Sequence, residues 1–216
     1  MIRVSHHSPR PFLLLILSPM GNKHSKVKAD IKIIVLLGPS GSGKSTFINL
    51  AMGRPVVAVG SGLACCTKKV QRVSCTMRGD SNKDVLLVDT PAFDHDKLDL
   101  PQIEDMIRKQ LKDMTKRKID ITGIIYFHPI TANRLTEVPK DHIGVFERLV
   151  GKYPARRVLL ATSGWKDLRD PQNLGSQREL QLHQDYWKEM LDGGSRILRF
   201  EGTEDSAWHL IRAVLA

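Results

Sequence analysis

Short apolar runs alternate along this chain with longer segments whose apolar residues recur at helical spacing. Ile31 to Leu37 is apolar except for Lys32, which suits a strand buried on both faces, and Ser45 to Met52 follows as a helix. Val70 to Met77 reads as a strand, Arg78-Gly79-Asp80-Ser81-Asn82 as a turn, and Val85 to Val88 as a short buried strand. Leu100 to Thr115 is predicted helical: Pro101 suits a first turn, and Ile103, Met106, Ile107, Gln110 and Leu111 share one face. Strands over Ile121 to Phe127, Arg157 to Ala161 and Arg196 to Phe200 then alternate with helices over Lys140 to Val150, Gln177 to Leu191 and Ala207 to Leu215. An early hairpin pair followed by strict alternation predicts an α/β fold in three αβα layers, its six-stranded, mostly parallel sheet covered on both faces.

Between the first strand and the first helix lies Gly38-Pro39-Ser40-Gly41-Ser42-Gly43-Lys44-Ser45, which fits G-x-x-x-x-G-K-[ST]. Gly38, Gly41 and Gly43 allow a tight loop whose backbone N–H groups, those of Ser40 and Ser42 included, point inward at phosphate oxygens. The helix N-terminus adds unpaired amides and the positive end of its dipole. Lys44 is placed to reach the β- and γ-phosphates, Ser45 to ligate Mg²⁺, and Thr46 to continue the phosphate-facing turn. Strand, glycine loop and helix together mark a P-loop site for a nucleoside triphosphate.

Asp89-Thr90-Pro91-Ala92-Phe93-Asp94 follows directly on the strand Val85 to Val88. A carboxylate ending a buried strand beside a phosphate loop can hold a Mg²⁺-bound water, which assigns Asp89 to the metal. G proteins carry, three residues later, a glycine whose N–H bonds the γ-phosphate; Ala92 keeps that N–H but restricts φ and adds a methyl. The order of elements is that of a Ras-like G domain rather than a nucleotide kinase.

These residues resemble the septin and immunity-associated branch of P-loop GTPases, in particular its fungal single-domain members. Asp89 to Asp94 is similar to the D-T-P-G-F-D of that branch apart from Ala92, and Leu63-Ala64-Cys65-Cys66-Thr67 to its L-x-x-C-T switch segment. Ile124-Ile125-Tyr126-Phe127-His128 resembles I-I-Y-L-H, and Ser206-Ala207-Trp208 the later S-A-W, so the likeness runs from about Lys32 to the C-terminus. The resemblance implies GTP and GDP as ligands and Mg²⁺ as cofactor. It further implies Thr67 as the switch-one threonine closing over metal and γ-phosphate, Ala92 to Lys97 as switch two, and dimerisation across the nucleotide face. Asp167, within Thr162-Ser163-Gly164-Trp165-Lys166-Asp167, is the best-placed reader of the guanine edge, with Trp165 or Lys166 stacking along the purine. Gly202, within Glu201-Gly202-Thr203, stands where G domains cover the base with a backbone N–H.

Ras-like enzymes position the attacking water with a glutamine where this chain has Phe93, which cannot polarise water. His95 is the nearest substitute, with Asp94 and Asp96 as further candidates, so slow intrinsic turnover is expected. Two other functions compete. Ala92, Phe93 and the altered base motif suit a nucleotide-binding scaffold without turnover. The phosphate loop also resembles that of ATP-dependent transport subunits, although Asp89 is not followed by glutamate and no L-S-G-G-Q segment exists.

Composition adds limits. Cys65, Cys66 and Cys75 fit neither a disulfide framework nor a zinc spacing, which points to a reducing, cytoplasmic setting. The net charge is +10, but Lys109, Lys112, Lys116, Arg117 and Lys118 gather at a predicted helix C-terminus, where cations complement the dipole, and aromatics do not interleave with them; nucleic acid is not an expected partner. Residues 1–29 read as a flexible tail and 30–216 as the G domain. Phe12 to Leu17 is far shorter than the ~20 residues of a membrane helix. Met20-Gly21-Asn22-Lys23-His24-Ser25 matches a myristoylation pattern of low specificity, usable only if Met20 is the true start; Lys23, Lys26 and Lys28 would then help hold a membrane. The effector is not legible.

Overall fold

β1 (Lys32–Leu37) is buried on both faces and forms the centre of the sheet. The structure, a computed structural model, describes residues 31–59, 70–77, 84–94, 98–116, 120–131 and 140–216. The six strands run in the order β2-β3-β1-β4-β5-β6, with β2 (Gln71–Thr76) antiparallel to β3 (Asp84–Asp89). β3, β1, β4 (Ile121–Pro129), β5 (Val158–Ser163) and β6 (Arg196–Arg199) are mutually parallel. This is the three-layer, mostly parallel architecture predicted above, with the single antiparallel pair at the hairpin.

Alternation along the strands divides the core. Ile33, Val35 and Leu37 face one cluster, shared with Ile103, Ile107, Leu111 and Met114 of α2 (Leu100–Lys116) and with Phe146 and Leu149 of α3 (Lys140–Val150). Ile34 and Leu36 face the other, shared with Phe47 and Ile48 of α1 (Lys44–Ala51) and with Trp208, Leu210 and Ile211 of α6 (Glu204–Leu215). Met106 and Gln110, expected on the buried face of α2, lie at its half-buried margin, while Met114, one turn beyond Leu111, is buried. α6 begins directly after its N-cap, Thr203, in a reciprocal cap: the Thr203 hydroxyl accepts from the Ser206 amide at 3.2 Å, and the Thr203 amide donates to Ser206 Oγ at 3.1 Å.

The helix expected over Gln177 to Leu191 is interrupted. α4 (Ser176–Gln181) and α5 (Lys188–Asp192) are separated by a wider π turn over Leu182–Tyr186, and a second π turn, Pro171–Gly175, precedes α4. The widening carries Leu182 and Trp187 into the same core cluster, which a regular helix with one apolar stripe would not do. Among the described residues, no helix is long and apolar enough to cross a membrane.

Candidate nucleotide site

The C-terminal ends of the parallel strands meet around the glycine loop that joins β1 to α1. Gly38 has φ 141°, and a Cβ there would strike the Phe127 carbonyl oxygen at the end of β4. Only glycine lets the loop lie this close to the sheet. Gly43, at φ 90°, caps α1 without a side chain, and the first turn of α1 holds no acidic residue, so its amides and dipole are offered to an anion.

Inside the loop, Lys44 is buried and its Nζ donates to the carbonyls of Gly38 at 2.9 Å and Pro39 at 2.8 Å. Ser42 is fully buried; its carbonyl accepts from Ser163 Oγ at 2.8 Å, which ties the loop to the end of β5. Ser45 Oγ donates to Asp89 Oδ2 at 3.2 Å, and Asp89 is fully buried at the end of β3. Thr90 continues from there and donates its hydroxyl to the Leu36 carbonyl at 2.7 Å. Ala92 is buried beside this anchor, and Thr46 is half-buried in the first turn of α1.

A hydroxyl beside a buried carboxylate at the mouth of a phosphate loop is the hard oxygen environment Mg²⁺ requires. Among the described residues no group of three or more His, Cys, Asp or Glu is placed to hold a metal. Ser45 and Asp89 are oxygen donors of the type Mg²⁺ takes, and an ion held there would draw its remaining ligands from phosphate and water.

Two loops flank the phosphate loop. Gly164, at φ 76°, turns the chain out of β5 into a 3₁₀ turn, Trp165–Asp167, whose Asp167 is exposed. Lys166 Nζ reaches the carbonyl of Gly202, at φ 66°, over 3.5 Å, and so joins this turn to the loop after β6. Of the two residues expected along the purine plane, Lys166 is exposed and Trp165 is buried: its Nε1 donates to Thr162 Oγ1 at 3.1 Å, and the Arg199 guanidinium lies 3.9 Å above its ring. Arg199 also pairs with Glu179 of α4 at 2.6 Å, and Glu179 accepts from Thr162 Oγ1 at 2.9 Å.

Comparison with known proteins decides the family. The profile of the family described as 50S ribosome-binding GTPases matches residues 33–150, more than half of the chain. The chain belongs to this GTPase family. The glycine loop and Asp89 fall within the matched residues, and the chain carries a GTP-binding G domain. No curated protein sequence matches it. Among solved structures, a dimerisation-deficient mutant of Arabidopsis thaliana Toc33 aligns at TM-score 0.69 and 19% identity, covering 87% of this chain and 84% of that one. Toc33 in complex with GDP and Mg²⁺ aligns at 0.67 and 20%, covering 86% and 83%. Era, in complex with MgGDPNP and a segment of 16S ribosomal RNA, aligns at 0.60 and 14%, covering 86% of this chain and 56% of that one. A further structure of the chloroplast translocon components Toc33 and Toc159, for which dimerisation is described as important for GTPase activity, aligns at 0.62 and 17%, covering 86% and 82%.

The fold thus gathers Gly38, Ser40, Gly41, Ser42, Gly43, Lys44, Ser45, Asp89 and Ala92 at one place, with Asp167 and Gly202 on adjoining loops. Thr67 and His95, with the tail, the Arg78 to Asn82 turn and Cys65 and Cys66, lie outside the described residues. Sequence reading overlooked Ser163, although it sits within the base motif, and Glu179, whose place behind the base turn has no local signal.

Proposed function

We propose that this G domain is a guanine-nucleotide switch that binds GTP with Mg²⁺ and hydrolyses it slowly, its site completed by a second copy across the nucleotide face. The observation that carries the reading is the arrangement of Lys44 inside the loop with Ser45 against buried Asp89. Lys44 exchanges its loop carbonyls for the β- and γ-phosphate oxygens, and the amides of Gly41 to Ser45 cradle the phosphates. Bound at Ser45 and Asp89, Mg²⁺ supplies charge neutralisation on the β- and γ-phosphates. The amide of Ala92 faces the γ-phosphate, Asp167 reads the guanine edge and the amide of Gly202 covers the base. Thr67 closes switch one.

Phe93 supports slow turnover. Its side chain is buried, stacked over Tyr126, and offers no polar atom to hold a water in line with the γ-phosphate. Hydrolysis then depends on weaker groups such as His95 or on the partner copy, and intrinsic turnover is on the order of 10⁻⁴ s⁻¹. Toc33, for which dimerisation is described as important to activity, supports the partner reading. We place the protein in the cytoplasm, with membrane contact through its basic tail. Single-turnover hydrolysis of GTP by the monomer tests the claim; a rate above about 1 s⁻¹ without a partner contradicts it. The alternative of a nucleotide-holding scaffold rests on the same Phe93, and predicts no turnover even at concentrations that drive dimerisation.

A further inference from the structure

The Ser40 amide, at the outer end of the phosphate loop, donates to Asp94 Oδ1 at 2.5 Å. Asp94 is fifty-four residues away in sequence and is held there from both sides of the preceding turn. Thr90 fastens the start of the segment to the Leu36 carbonyl, and Phe93, only 2% exposed, fixes its end in the core against Tyr126 and edge-on to His142. With Phe93 pointing inward, the next side chain points at the loop. Asp94 is exposed there, so its carboxylate meets the loop from the solvent side, opposite the buried Lys44.

We infer that Asp94 is the residue by which this chain distinguishes a nucleoside triphosphate from a diphosphate. The inference rests on the nucleotide-binding reading above and deepens it. A loop amide that donates to a carboxylate is not available to a phosphate oxygen, and a γ-phosphate brought beside it meets a like charge at close range. The diphosphate is held chiefly by Lys44, Ser45 and the amides nearest α1, away from Ser40, and is little affected. Triphosphate loading therefore requires the Asp94 side chain to leave Ser40, while Phe93 keeps the preceding backbone in the core. The contact lowers triphosphate affinity relative to diphosphate.

The test is calorimetric titration of the full chain with GDP and with GMPPNP in Mg²⁺, for the unaltered protein, Asp94→Asn, Asp94→Ala and Asp94→Glu. Asp94→Asn keeps an oxygen that accepts from Ser40 and removes only the charge. Asp94→Asn and Asp94→Ala are expected to tighten GMPPNP at least tenfold and to leave GDP within twofold, whereas Asp94→Glu retains the original ratio. An unchanged ratio in both neutral variants, or parallel tightening of both ligands, overturns the inference and leaves the nucleotide reading standing. Failure of the unaltered protein to bind either ligand overturns both.

Discussion

The ring of Phe93 lies over that of Tyr126, centroids 6.3 Å apart and planes inclined by 26°. Tyr126 in turn stacks on Phe146 of α3 at 4.3 Å and meets Trp187 edge-on at 6.2 Å. The residue standing where Ras-like enzymes keep their water-positioning glutamine is thus a core residue of this domain.

Substitution at that position should affect folding more than chemistry. Phe93→Gln is expected to destabilise the domain by about 3 kcal/mol, because it buries an amide and leaves a cavity, and not to accelerate single-turnover hydrolysis by more than about twofold. Urea denaturation and quenched-flow kinetics on one preparation check both halves. A large acceleration would show that the side chain reaches the γ-phosphate, contrary to its burial.

His128, at the end of β4, is buried edge-on to Trp187 at 5.6 Å, and burial lowers its pKa from 6.5 to about 4. The folded pKa lies below the unfolded one, so the unfolded chain binds more protons between pH 6.5 and 4. The contribution of His128 is fully present above that window and is lost as pH falls through it, by about 3 kcal/mol at most. Urea midpoints between pH 7 and 4.5 should fall more steeply for the natural chain than for His128→Asn. Parallel slopes would mean that the imidazole is hydrated in the folded protein.

Arg199 covers the Trp165 indole and pairs with Glu179, which accepts from Thr162 Oγ1, so three elements converge behind the turn that carries Asp167. Arg199→Ala is expected to weaken GDP binding roughly tenfold, about 1.4 kcal/mol, and to alter Trp165 fluorescence. The affinity for inorganic tripolyphosphate should stay unchanged, since the phosphate loop is anchored separately through Ser163. Equal losses for both ligands would place the defect in the whole site rather than at the base.

On the proposed reading Ser45 and Asp89 would give a bound Mg²⁺ its protein contacts, and removal of Mg²⁺ by chelation should weaken GDP binding tenfold or more. In Ser45→Ala that metal dependence should shrink to a factor of about two to three, as expected when a hydrogen-bonding oxygen worth about 1 kcal/mol is lost. Isothermal titration with and without chelator measures it. Undiminished metal dependence in the variant would remove Ser45 from the site.

Much of this arrangement is legible in the chain, for physical reasons that differ by element. β1, β3 and β4 are dense apolar runs because both their faces are buried, and the glycine loop is readable because Gly38 and Gly43 adopt conformations other residues avoid. The break in the expected Gln177 to Leu191 helix was not readable, since the π turn arises from packing Leu182 and Trp187 into a core assembled elsewhere. The burial of Trp165 was not readable for a related reason. Its partner Arg199 lies on another strand, and nothing near position 165 announces a guanidinium above the indole. Ser40 and Asp94 each stood within a recognised motif, but only the folded chain brings the amide to the carboxylate.

Calorimetric titration of the full chain with GTP, GDP and ATP in Mg²⁺, beside Lys44→Ala, tests the central claim most directly. Guanine nucleotides are expected to bind at least 100-fold more tightly than ATP, a difference of about 2.7 kcal/mol, and that binding is expected to be lost in Lys44→Ala. Equal or tighter binding of ATP, or guanine binding that survives the loss of Lys44, would contradict it.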